Sequence, residues 1–202
     1  MLKAIANTVS IILHPLLMPT LGLIFILTMA SNIILLPYEA KRIILIIVAI
    51  NTLALPLLMI PLFYRLNIIK SIRMHEHRER IIPLAFTLIP YIFSFYFLNR
   101  LPIMSEIPNF LLGATIAIFI SLVISIWWKI SIHMIGIGGM AGLLFALSHR
   151  LYIEGFWFLI AAILLAGIVA WARLALNAHK PLQVYIGFLV GLITVSLSII
   201  LL

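Results

Sequence analysis

The chain has 202 residues, 65% of them hydrophobic and 9% charged, with a formal net charge of +8 and a mean hydropathy of +1.31. A water-soluble domain of this size cannot hide that much apolar surface, so lipid must be the solvent for most of it. Cysteine is absent, which excludes disulfides and thiolate metal sites; Asp is absent too, and the acidic residues are Glu39, Glu76, Glu79, Glu106 and Glu154.

Apolar segments run over 4–36, 43–63, 81–98, 109–128, 132–148, 156–172 and 182–202. A hydrocarbon core of about 30 Å takes about 20 helical residues, and most of these segments fit. They predict an all-α fold, a polytopic transmembrane helix bundle of six to seven spanning helices. No linker, repeat or low-complexity stretch divides the chain, so 1–202 reads as a single membrane-embedded domain. The first segment is overlong and interrupted by His14, Pro15 and Pro19. Proline removes a helical donor and clashes with the preceding turn, which predicts a short interfacial piece and then a span from near Leu16. Residues 1–15 lack a small-residue cleavage site and are not read as a removable signal.

If all seven segments cross, the N-terminus and the connections 64–80, 129–131 and 173–181 share one face. That face holds Lys3, Arg65, Lys70, Arg73, Arg78, Arg80, Lys129, Arg173 and Lys180, against Lys41, Arg42, Arg100 and Arg150 on the other. The positive-inside rule makes the first face cytoplasmic. Setting aside cations that serve a site leaves only Lys3 and Arg65 there and reverses the assignment, so orientation stays open. The cations lie at segment ends rather than on one soluble face, which favours membrane lipids or a phosphate-bearing substrate over nucleic acid. Ion pumps and voltage sensors need ionisable groups at depth; here only His14 and, nearer an end, His133 qualify. A retinal protein is disfavoured because Lys180 starts a segment without a carboxylate counter-ion.

Three polar clusters sit on the shared face. In the first, Lys70, Arg73, Arg78 and Arg80 crowd into eleven residues with His75, Glu76, His77 and Glu79. Such cations grip a multiply charged phosphate, although a basic loop bound to anionic lipid has the same composition. His75, His77 and Glu79 also allow a metal site, the less favoured reading; no metal or other cofactor is assigned. In the second, Ser131 and His133 open a segment after Trp127, Trp128 and Lys129. Tryptophans favour headgroup depth, where His133 can protonate a leaving alkoxide and Ser131 can bond a phosphoryl oxygen. A serine cap and an interfacial histidine are the plainer alternative. In the third, Arg173 ends one segment and His179 precedes Pro181, a residue suited to the first helical turn. An anion is favoured at such a helix start, and an imidazole there can attack phosphorus while the cation neutralises the phosphoryl oxygens. Two helix-end anchors account for the same residues. Gly136, Gly138, Gly139 and Gly142 follow no strand, so they read as helix-packing positions.

Together the clusters resemble the type-2 phosphatidic acid phosphatase superfamily of membrane lipid phosphatases. Its motifs are K-x6-R-P, P-S-G-H and S-R-x5-H-x3-D. Ile130-Ser131-Ile132-His133 keeps the serine and histidine of the second motif. Ala172-Arg173, five residues and His179 keep the spacing of the third, with Gln183 where the family has aspartate. The first motif is approximated by Arg73 with Arg80, or by Lys70 with Arg78; the match is best over 125–202. The resemblance implies metal-free hydrolysis of a lipid phosphomonoester or pyrophosphate. His179 would form a phosphohistidine, oriented by Gln183, and His133 would act as the acid. Ser131, Lys129, Arg173 and the cations Lys70, Arg73, Arg78 and Arg80 would hold the phosphoryl group. Losing the family's carboxylate costs on the order of 10²–10⁴ in rate by analogy with other histidine-based sites. The same residues leave open a catalytically inactive relative that binds or moves phospholipid, and a structural or assembly subunit. The expected location is a bacterial inner membrane, as a multi-pass protein; the sequence is silent on oligomeric state.

Overall fold

The structure, a computed structural model, describes every residue except 30–35, 73, 75 and 151–155. The described helices are α1 (Leu2–Ile12), α2 (Met18–Met29), α3 (Tyr38–Ala49), α4 (Leu55–Arg65), α5 (Ile81–Leu98), α6 (Glu106–Ser125), α7 (Ile132–Arg150), α8 (Phe156–Ala175) and α9 (Pro181–Leu201). Among the described residues there is no strand. Seven helical runs are long and apolar enough to cross a membrane: Leu2–Met29, Tyr38–Arg65, Arg78–Leu98, Glu106–Ser125, Ile132–Arg150, Phe156–Ala175 and Pro181–Leu201. The protein is therefore an all-α, multi-pass membrane bundle.

Two of these runs carry interruptions with local causes. His14 adopts an extended backbone and its ring accepts the Leu16 N–H, which caps a 3-10 turn at Pro15–Leu17 between α1 and α2. A π-helical turn at Ile50–Ala54 joins α3 to α4 just before Pro56, a residue with no N–H to give to the preceding turn. The α1 helix is amphipathic. Its buried stripe of Ala6 and Ser10, with Val9 and Leu13, packs toward α8, while Leu2, Ile5 and Ile12 stay exposed beside Lys3.

The centre of the bundle is the pair α7 and α9, whose backbones touch. A side chain added at Gly138 would strike the carbonyl of Phe188, one at Gly142 that of Leu192, and one at Gly191 that of Ile135. Small residues one helical turn apart on each partner allow this approach, the usual substitute in lipid for hydrophobic attraction. At one end of α7, Arg150 pairs with the buried Glu106 of α6 at 3.2 Å and donates to the Ile199 carbonyl of α9. The opposite end of α7 carries His133. About 17 residues at 1.5 Å each put these ends roughly 25 Å apart, so one end is clamped and the other is free to hold chemistry.

Candidate functional site

At the His133 end, the starts of α5, α7 and α9, the end of α8 and the junction between α1 and α2 converge on a cavity of about 380 Å³. His14, Arg80, His133, Arg173 and His179 form its polar part. The remaining wall is mostly apolar, including Leu57, Leu84, Phe110, Ala117 and Val195, and reaches Tyr91 inside the bundle. No acidic residue lines it among the described residues.

His179 owes its position to two local devices. Asn177 takes a left-handed conformation (φ 50°), which ends α8 and turns the chain. Pro181 then starts α9, and Gln183 in its first turn reaches back so that its Oε1 accepts the Lys180 N–H at 3.0 Å and faces Nδ1 of His179 at 3.1 Å. A carbonyl oxygen already accepting a backbone N–H leaves Nδ1 one role, that of donor. The neutral ring therefore presents its lone pair at Nε2. Burial first, then the charge of Arg80, with Arg173 and Lys129 adding to it against the Gln183 bond, push the His179 pKa down to about 3. At neutral pH the ring is uncharged.

His133 is fixed from the opposite side. Its Nε2 donates to the Ser10 carbonyl at 3.1 Å, and Arg173 donates to the Ser10 hydroxyl at 3.2 Å. One residue of α1 thus orients both an imidazole and a guanidinium. Arg80 donates to the Ile130 carbonyl at 3.0 Å and, from Nε and one terminal nitrogen, to the Met74 carbonyl at 3.4 Å. Met74 itself has φ 47°, which side chains other than Gly and Asn seldom adopt, so these bonds hold a strained backbone beside the cavity. Lys129 is half-buried; burial, then the charges of Arg80 and Arg173, hold its ammonium below the usual lysine value. Among the described residues no carboxylate pairs with Arg80, Arg173 or Lys129. Cations held together away from water without a counter-ion favour an anionic ligand.

Seven of the residues singled out from the sequence divide into three groups. Arg80, His133, Arg173 and His179 reach the cavity wall. Gln183 stands behind His179, and Lys129 lies near enough for its charge to act on that ring without lining the wall. Ser131 is fully buried beneath the site: its N–H donates to the Gln183 carbonyl at 3.3 Å and its hydroxyl has no partner among the described residues.

The first cluster needs correcting. Lys70 and Arg78 are exposed and do not line the cavity, and Arg73 lies outside the described residues. Arg78 and Arg80 share a single 3-10 turn. At three residues per turn, positions two apart point in different directions, so only Arg80 faces inward. Of the suggested metal set, His75 is outside the described residues, and His77 Nδ1 lies 2.8 Å from the Ser125 carbonyl. Ser10 and His14 were not assigned to the site from the sequence. The usable signal was His14 itself, a lone imidazole beside proline in an uncharged run, where ionisable groups are rare without a function. No family model, curated protein or solved structure matches this chain.

Proposed function

We propose that the protein is a membrane lipid-phosphate phosphatase that works without metal through a phosphohistidine. One observation carries the reading: Arg80, His133, Arg173 and His179 stand with His14 on the wall of a single cavity whose remainder is mostly apolar and which has no acidic residue among those described. A phosphate needs the first half of that description and an alkyl chain needs the second.

The sequence of events follows from the ring nitrogens. Nε2 of His179 attacks phosphorus, forming an N–P bond while the P–O bond to the lipid breaks. The departing oxygen takes a proton from Nδ1 of His133, a ring that gains this second proton only once the anionic phosphate is bound beside it and whose Nε2 stays bonded to Ser10. Arg80 and Arg173 neutralise the phosphoryl oxygens during both steps. Water, deprotonated by the now neutral His133, then breaks the N–P bond and inorganic phosphate leaves. The dephosphorylated lipid returns to the bilayer.

A second reading, phospholipid binding or movement without hydrolysis, is favoured by Gln183. It orients His179 but offers no negative charge to a positively charged phosphohistidine. The separating experiment is phosphate release by detergent-purified protein from a panel of lipid phosphates in the presence of EDTA. Release that survives EDTA and disappears in His179→Ala supports the enzyme; no release from any lipid by folded protein supports the binding role.

A further inference from the structure

Three imidazoles line the cavity, and the scheme above uses two. His14 is the third. Its Nδ1 accepts the Leu16 N–H at 3.3 Å, and a ring nitrogen that accepts carries no proton, so the neutral ring holds its hydrogen on Nε2. That Nε2–H has no protein acceptor among the described residues, and the ring lies on the cavity wall with its centroid 5.4 Å from that of His133, edge to face at 76°. The three rings thus present different chemistry to one space: a lone pair on His179, an exchangeable site on His133, and a fixed N–H donor on His14.

We propose that His14 contacts the ligand directly, its Nε2–H donating to a phosphoryl oxygen held between Arg80, Arg173 and His179; this rests on the phosphate-site reading above. The contact gives a partner to a donor on the cavity wall that has none among the described residues. It also strengthens the grip on the anion without adding charge to a pocket that already holds Arg80 and Arg173, with Lys129 nearby. A neutral imidazole locked as a donor by a neighbouring backbone N–H is an established way to polarise a substrate oxygen. The break between α1 and α2 supplies the geometry, since a helix continued through residue 14 would give that residue's backbone a different path and its ring no cap to make.

The test uses the full chain in detergent and inorganic phosphate as the probe, with binding measured by calorimetry. His14→Asn keeps both the cap acceptor and an N–H donor, His14→Ser keeps the cap with a hydroxyl too short to reach where the imidazole Nε2–H stood, and His14→Ala keeps neither. A lost bond to a charged oxygen predicts about ten- to a hundredfold weaker phosphate binding in the Ser and Ala variants, with recovery in Asn. Unchanged binding in His14→Ser, or wild-type protein that takes no phosphate at millimolar concentration, overturns the proposal. Hydrolysis is scored separately. His14-dependent phosphate binding by wild-type protein that releases nothing from any lipid sustains this contact and retires the enzyme. Lipid hydrolysis at a rate untouched by His14→Ser retires this contact and leaves the enzyme standing.

Discussion

Replacing Gln183 by glutamate keeps the side chain's length and its acceptor for the Lys180 N–H, and changes one thing: a negative charge now faces His179 across the 3.1 Å contact. Charge centres about 4 Å apart interact by about 4 kcal/mol at an effective dielectric of ~20. At about 1.4 kcal/mol per pKa unit, that raises the imidazole by about three units, less whatever the carboxylate loses by leaving water. From about 3, His179 should rise toward the range of an ordinary histidine. The assay is an NMR titration of imidazole signals in wild-type and Gln183→Glu protein, with His179→Ala identifying the resonance. Wild type should show no His179 titration between pH 5 and 8, whereas Gln183→Glu should titrate within or close to that window. If the protein is a phosphatase, the variant should also turn over faster at neutral pH, recovering part of the charge stabilisation that an orienting carboxylate provides. Its rate should then fall on the acid side, because only the neutral ring attacks. A wild-type His179 that titrates near 6.5, or a value unmoved by Gln183→Glu, would refute the electrostatic account of this site.

Other consequences can be checked independently. Arg80→Ala removes a guanidinium that holds two carbonyls beside the cavity and should weaken phosphate binding about tenfold or more, with Arg80→Lys recovering only part because it lacks the planar fork. Gly191→Ala drives a methyl group into the Ile135 carbonyl and should lower the melting temperature sharply. Gly167→Ala meets nothing within 4 Å, and should be neutral or slightly stabilising by helix propensity. Glu106→Ala strips the counter-ion from Arg150 at the far end of α7 and should cost about 1–3 kcal/mol, less than a fully buried pair because Arg150 is partly exposed, measured by denaturant or heat, with Arg80, His133, Arg173 and His179 untouched.

Hydropathy made the seven apolar runs legible, because in lipid a spanning segment must be helical and nearly uncharged. Parity then placed the ends that carry Arg80, His133, Arg173 and His179 on one face, and the structure draws those four to one cavity. Direction within a short turn was not legible. Lys70, Arg78 and Arg80 look equivalent in the sequence, yet only Arg80 turns inward at the start of α5. The share of α1 in the site was also hidden. Ser10 meets Arg173 across 163 positions and His133 across 123, and no local spacing encodes contacts between such distant residues.

The docking of α1 on α8 also bears on how the protein is made. Ser10 is synthesised about 160 residues before Arg173, an interval of roughly ten to thirty seconds at ribosomal rates of about 5–20 residues per second. During that time the first helix has no α8 to lie against, and a complete pocket does not yet exist. With Leu2, Ile5 and Ile12 on one side and Lys3 on another, it is suited to wait on the bilayer surface. The helix that carries Ser10 thus takes its place only after α8 has been made, and the polar pocket closes only once the chain has been built through His179.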